Sequence, residues 1–185
     1  MPSNIEIKAR ARDFPKQRKL VTGLSVSSPE NLRQEDTFFW TPRGRLKLRM
    51  VPEQPGELIY YERSDIQGPK PSHYAVARIE QPENLKIALG AALGVRGVVR
   101  KQRTVFMVKK TRVHLDEVEG LGAFLELEVA LKPGASVSEG KAVARKLMRA
   151  LEIQETDLVD SSYIDLLEGT PSLGKRRSQI LRDFT

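Results

Sequence analysis

The 185-residue sequence contains no cysteine. That excludes thiolate metal sites, cysteine nucleophiles and a disulfide framework. It has no apolar run long enough to span a bilayer, and its N-terminus lacks the pattern of a secretory signal peptide. A cytoplasmic location and no membrane partner are therefore expected. No G-x-x-x-x-G-K cradle surrounds its glycines, so Gly120 and Gly122 read as turn residues. There is no internal repeat, no interdomain linker and no RNA- or DNA-binding motif. What the chain has in quantity is charge. Its 31 Lys and Arg against 24 Asp and Glu leave a net +7, with a pI near 9.7. Such a balance implies an anionic partner, whether nucleic acid, membrane surface or small polyanion. The basic residues alternate with carboxylates, so no nucleic-acid partner is expected. The length fits one domain with a sizeable core. The expected organisation is a domain over residues 1–168 and a basic, loosely docked tail over 169–185 that includes Lys175 to Arg177.

The stretch from Arg112 to Val129 organises the rest. It reads as two strands joined by a Gly-rich turn. Alternate side chains of a strand share a face. Glu126 and Glu128 therefore point one way, and Leu125, Leu127 and Val129 the other. Arg112, His114 and Asp116 share a face on the preceding strand. Paired carboxylates of this kind describe either a solvated sheet face or a hard-metal site built from oxygen ligands. His114 reads as a polar, hydrogen-bonding residue rather than a general base.

Other segments repeat the pattern. Residues 4–12 alternate strictly, with Ile5, Ile7, Ala9 and Ala11 opposite Asn4, Glu6, Lys8, Arg10 and Arg12. Strands are expected over 34–40, 45–51 and 57–64 as a meander, then over 73–79 and 98–108. Arg45, Lys47 and Arg49 share one face, as do Lys101 and Arg103. Arg10, Arg12 and Arg45 are equally readable as solvated charges. Residues 27–30 and 68–71 read as loops, Pro133-Gly134 as a turn. Asp13 caps a helix that begins at Phe14-Pro15. A second helix runs from Pro82 to Gly94. Ser136 and Glu139 have capping-box spacing for a third. Residues 162–167 form a short helix or strand.

Strand after strand thus pairs an apolar face with an ionic one. A sandwich explains this as core and solvent. A closed eight-stranded barrel explains it differently: helices cover the apolar outside and the charged faces line the lumen. Buried cations without an anion are costly through desolvation and repulsion. A charged lumen therefore implies a polyanionic ligand and a metal.

The motifs resemble the CYTH family of triphosphate tunnel enzymes, over roughly residues 3–168. Asn4-Ile-Glu6-Ile-Lys8 resembles its E-x-E-x-K strand, with Asn at the first acidic position. Asp36-Thr-Phe-Phe, Gly44 to Arg49 and Lys101-Gln-Arg103 resemble its later strands. Asp116 to Glu128 is the most specific match and is most similar to the class IV adenylate cyclase branch. The resemblance implies a mainly β, α+β fold: a closed eight-stranded antiparallel barrel, the triphosphate tunnel, covered by helices. It implies Glu6, Asp116, Glu126 and Glu128 as ligands or near neighbours of Mg²⁺ or Mn²⁺. It implies Lys8, Lys47, Arg49, Arg63, Lys101, Arg103 and Arg112 on the phosphates. Glu6, Lys8, Arg49 and Glu126 would carry the catalysis.

Two chemistries share that apparatus. In a cyclase, the ribose 3′-oxygen of ATP attacks the α-phosphorus and pyrophosphate leaves. In a triphosphatase, water attacks the terminal phosphorus of tripolyphosphate, thiamine triphosphate or a nucleoside triphosphate. Asn4 also keeps a non-catalytic polyphosphate-binding module in view, and it implies one tight and one weak metal position. An exposed edge or helix face is compatible with a homodimer.

Overall fold

The computed structural model describes residues 3–131, 134 and 136–169. Pro133 and the basic tail, with Lys175 to Arg177, lie outside the described residues. Eight strands form the frame: β1 (Ser3–Arg10), β2 (Glu30–Phe39), β3 (Arg45–Met50), β4 (Gly56–Arg63), β5 (Lys70–Ile79), β6 (Val95–Val108), β7 (Thr111–Val118) and β8 (Gly122–Ala130). They close into a barrel in the order β1-β5-β4-β3-β2-β6-β7-β8. Every pairing is antiparallel. The closed barrel, not the sandwich, is the observed arrangement, and closure leaves no unpaired sheet edge.

Alternation explains which side faces in. On β1, Ile5, Ile7 and Ala9 point outward and are fully buried under helices. Asn4, Glu6 and Lys8 line the lumen. Leu125, Leu127 and Val129 of β8 join the same outer core, with Val113, Leu115 and Phe106. Helix α1 (Phe14–Leu24) is started by Asp13, whose side chain accepts from Lys16 N at 3.1 Å. Helix α3 (Val137–Ala150) carries the expected capping box from Ser136 and Glu139. It lies directly on the barrel because Gly140 has no side chain. A Cβ there would sit 2.6 Å from both Ile5 and Leu131. Helix α2 (Pro82–Leu93) rests against β2 and β3 and buries none of its residues.

The last element is a helix rather than a strand. α4 (Tyr163–Leu167) is capped by Ser162, whose side chain accepts from Asp165 N. A second apolar cluster, with Phe38, Val99, Val118 and Phe124, fastens Tyr163 and Ile164 to the barrel end. The absent side chain of Gly97 makes room for Ile164, whose Cδ1 would lie 2.6 Å from a Cβ there.

Three local expectations are corrected. β2 begins at Glu30 and β5 at Lys70, inside stretches that read as loops. Arg45 is not a solvated charge: it is 4% exposed and held between Asp65 and Asp165 at 2.9 and 2.8 Å. Arg12 does sit near the surface, paired with Asp157 at 2.7 Å. No described helix is long and apolar enough to cross a membrane.

Candidate active site: a charged tunnel closed at one end

The lumen is a cavity of about 540 Å³. Nine Lys and Arg and six Asp and Glu line it, so its wall carries a positive excess. One end is sealed by the segment around α4. The Tyr163 ring lies beneath the Lys8 ammonium, 3.3 Å from ring centroid to Nζ. Its hydroxyl donates to Asp116 at 2.9 Å. The backbone carbonyl of Asp160 accepts from Arg63 at 3.1 Å and from Lys70 at 3.0 Å.

One wall, built from β2, β3 and β6, gathers cations around a single carboxylate. Asp36 accepts from Lys47 at 2.9 Å, Arg49 at 2.8 Å and Lys101 at 2.9 Å. Burial opposes its ionisation, but these three cations outweigh burial and hold its carboxyl well below the usual range. Burial, reinforced by the neighbouring Arg49, pushes the Lys47 ammonium down to about 7. Lys70 is likewise brought to about 7, by burial and by Arg63 and Lys8.

The wall built from β1, β7 and β8 gathers carboxylates. Glu126 accepts from Lys8 and from Arg103. Burial opposes its ionisation, but those two cations keep it well below its ordinary value. Glu6, 3.8 Å from Arg63, is shifted upward. Burial is the largest cause, Arg63 opposes it, and the carboxylates of Glu128 and Glu126 add to it. His114 is 3% exposed, and its Nδ1 lies 3.6 Å from Glu126 Oε2 and 3.9 Å from Glu128 Oε1.

Of the residues expected from sequence, Glu6, Lys8, Lys47, Arg49, Arg63, Lys101, Arg103, Arg112, Glu126 and Glu128 all line this one cavity. Arg112 stands farthest out: its side chain is 53% exposed, and it meets Glu128 at 3.2 Å. Asp116 is placed differently. It is fully buried behind the wall, with its oxygens taken by Arg103 (2.7 Å) and Tyr163. Sequence reasoning missed Asp36 as a site residue, Lys70, and Tyr163. Asp36 had a signal, since it opposes Arg49 in an ionic strand pair. Lys70 and Tyr163 had none, one being hidden in a Gly-Pro stretch and the other on a helix too short to show a face.

The donor set suits a divalent cation. One ligand atom each from His114, Glu126 and Glu128 lies within 4.8 Å of the others. His114 Nδ1 is buried without a hydrogen-bond partner. An orphaned buried acceptor or donor beside two carboxylates is costly unless something fills the gap.

The same frame is found in known proteins. A protein of Methanocaldococcus jannaschii, provisionally named an adenylate cyclase, is 25% identical over 88% of this chain and 97% of its own. A solved structure from Pyrococcus horikoshii is 26% identical, with TM-score 0.76 over 88% of this chain and 98% of that one. A Hippeastrum protein, provisionally an adenylyl cyclase and described as having a dominant triphosphatase activity, shares the fold. Its TM-score is 0.63 at 16% identity, over 94% of this chain and 98% of that one. The CYTH domain model matches residues 3–163. With that match spanning the barrel and the start of its plugging helix, the chain belongs to the CYTH domain family.

Proposed function

We propose that the protein is a divalent-metal-dependent enzyme acting on triphosphates, with the class IV adenylate cyclase reaction, ATP to cyclic AMP and pyrophosphate, as its activity. The observation that carries the reading is the division of one closed-ended cavity into a cation wall and a carboxylate wall. A triphosphate needs many donors around its oxygens, and Mg²⁺ or Mn²⁺ needs one or two carboxylates beside the phosphates. The cavity also carries Leu32, Val51, Pro55, Val76 and Val105. These lie on β2, β5, β6 and the turn between β3 and β4, and they suit the apolar faces of a nucleoside. The Methanocaldococcus relative points the same way.

The chain's own residues do most of the work. Arg49 and Arg103 present forked donors to phosphate oxygens, and Lys8, Lys47 and Lys101 act as point charges. Asp36 holds Lys47, Arg49 and Lys101 in one cluster before substrate arrives. Preorganised donors of this kind cost no rearrangement as charge develops on the phosphoryl oxygens. Glu126 and Glu128, with Glu6 beside them, would hold the metal. When bound, a divalent cation supplies charge neutralisation and acidifies the attacking hydroxyl.

A second reading is hydrolysis at the terminal phosphorus. The buried Arg63 and Lys70 favour it. Their hydrogen bonds go to backbone carbonyls, and Glu6 stands 3.8 Å from Arg63, so the Arg63 charge and, below about pH 7, that of Lys70 are open to a terminal phosphate. Phosphorus NMR with ATP and tripolyphosphate, each with Mg²⁺ or Mn²⁺, separates the readings. Cyclic AMP with pyrophosphate is the expected result. Orthophosphate without cyclic product would establish the triphosphatase. Binding without turnover at any metal concentration would leave a non-catalytic module.

A further inference from the structure

We infer that His114 is a nitrogen ligand of the tunnel's metal site and tunes that site toward first-row transition ions such as Mn²⁺ over Mg²⁺. The inference rests on the proposed metal-dependent reading and adds to it the ion that the site selects.

The argument starts from the strand. His114 sits on β7 directly opposite Glu126 of β8, and the inward turn of both side chains follows from the pleat. Glu128 is the next inward residue on β8. The three therefore converge on one patch of wall without any loop to position them. That rigidity suits a ligand set.

The distances fit a cation better than a hydrogen bond. His114 Nδ1 lies 3.6 Å from Glu126 Oε2 and 3.9 Å from Glu128 Oε1. Hydrogen bonds between such atoms close to about 2.7–3.2 Å. Two ligands bound to one ion at about 2.1 Å each stand roughly 3.0 Å apart at a right angle and about 4.2 Å apart when opposite. The observed gaps fall inside that window. The Nδ1 atom is also buried and has no hydrogen-bond partner, a condition that coordination to a cation would relieve. Glu126 Oε2 already accepts from Arg103. An ionised carboxylate offers about four lone-pair positions over its two oxygens, so the same group serves both.

The chemistry sets the preference. Mg²⁺ takes oxygen ligands and gains little from imidazole. Imidazole suits Zn²⁺, Cu²⁺, Ni²⁺ and Fe²⁺ best, whereas Mn²⁺ shares the oxygen preference of Mg²⁺ but, being softer, accepts the nitrogen donor more readily. One histidine among two or three carboxylates places Mn²⁺ above Mg²⁺ while keeping the oxygen-rich character that a phosphate enzyme needs.

The test uses the full chain with metal alone and no nucleotide. Electron spin-echo modulation of the Mn²⁺ complex should show coupling to a directly bound ring nitrogen. Calorimetry should give Mn²⁺ binding tighter than Mg²⁺ by a margin that shrinks when His114 is replaced. His114→Asn should remove the nitrogen coupling and weaken Mn²⁺ by about tenfold, with Mg²⁺ changed by less than about threefold. A Mn²⁺ complex without nitrogen coupling overturns the inference, as does an equal loss for both ions or no binding of either ion. The first measurement needs only the native chain, so it stands even where the variant fails to fold. Phosphorus NMR on the same preparation keeps the two readings apart. Turnover without nitrogen coupling sinks the ligand assignment and leaves the enzyme reading intact.

Discussion

The two walls of the tunnel solve opposite problems. On the β2-β3-β6 wall, one carboxylate, Asp36, holds three cations. On the β1-β7-β8 wall, Glu6, Glu126 and Glu128 stand together, and the cations Lys8 and Arg103 both lean on Glu126. The first wall is short of negative charge and the second is crowded with it. A buried cation cluster is stable only with an anion, and a buried carboxylate cluster only with a cation. Under the proposed reading, the contrast assigns the triphosphate to the first wall and its metal to the second. Each ligand supplies what its wall lacks.

The most damaging way to break this contrast is Glu126→Gln. It removes the charge shared by Lys8, Arg103 and the proposed metal. Turnover should fall by about 10²–10³-fold or more, the scale of losing one preorganised electrostatic contact, as followed by phosphorus NMR. Divalent binding should weaken in parallel. Retained metal affinity would show that the carboxylate wall is not the metal's seat.

Asp36→Asn tests the other wall. The buried Lys101 and the half-buried Lys47 and Arg49 would lose their shared partner, at a cost of up to about 3–5 kcal/mol in denaturant unfolding. The same variant has a more positive lumen. Tripolyphosphate should therefore raise its Tm by more degrees than it raises that of the native chain. A smaller shift would mean that Asp36 is needed to orient the cations and not only to neutralise them.

A milder test is pH. In the ligand-free tunnel Lys47 and Lys70 both titrate near 7 rather than at their ordinary 10.5. A lysine with a lowered folded pKa binds fewer protons folded than unfolded between about 7 and 10.5. The empty fold therefore gains stability as pH rises through that window. Phosphate affinity moves the opposite way, because the ammonium charge is lost over the same range. The Kd for tripolyphosphate should rise above pH 7, by up to about tenfold per pH unit for each lysine that must be recharged. A flat affinity from pH 7 to 9 would remove both lysines from the phosphate seat.

Much of the fold and the site is legible in the sequence, and the reason is the period of two. The strict alternation of residues 4–10 and 125–129 is enough by itself to assign Glu6 and Lys8 to one face of β1, and Glu126 and Glu128 to one face of β8. Closure of the barrel turns those faces into a lumen. The parts that are not legible depend on what crosses the barrel end. Arg45 shares its face with Lys47 and Arg49, but Asp65 and, from α4, Asp165 decide that it is neutralised by carboxylates rather than by water. Tyr163 lies 47 residues from Asp116 along the chain, and no local pattern announces a contact of that separation. Alternation also puts His114 on the ionic face. Its unpartnered Nδ1 and its distances to two glutamates are facts of cross-strand register and rotamer, which spacing along one strand does not contain.

The smallest expected effect sharpens the comparison at the sealed end, where the two walls meet. Tyr163 touches both: its ring lies under Lys8 of one wall and 5.6 Å from the Lys101 ammonium of the other, and its hydroxyl donates to Asp116. Tyr163→Phe keeps the ring and removes the donor. Asp116 remains bound to Arg103 at 2.7 Å, so the loss should be about 1–2 kcal/mol of stability with KM changed by less than about twofold. Tyr163→Leu removes the ring as well. A buried cation over an aromatic face is worth about 1–2 kcal/mol, so KM should then rise by about fivefold to tenfold as Lys8 loses its seat. If Phe and Leu raise KM equally, Lys8 is positioned through Asp116 and Arg103, and the carboxylate wall rather than the plug sets the depth of the substrate.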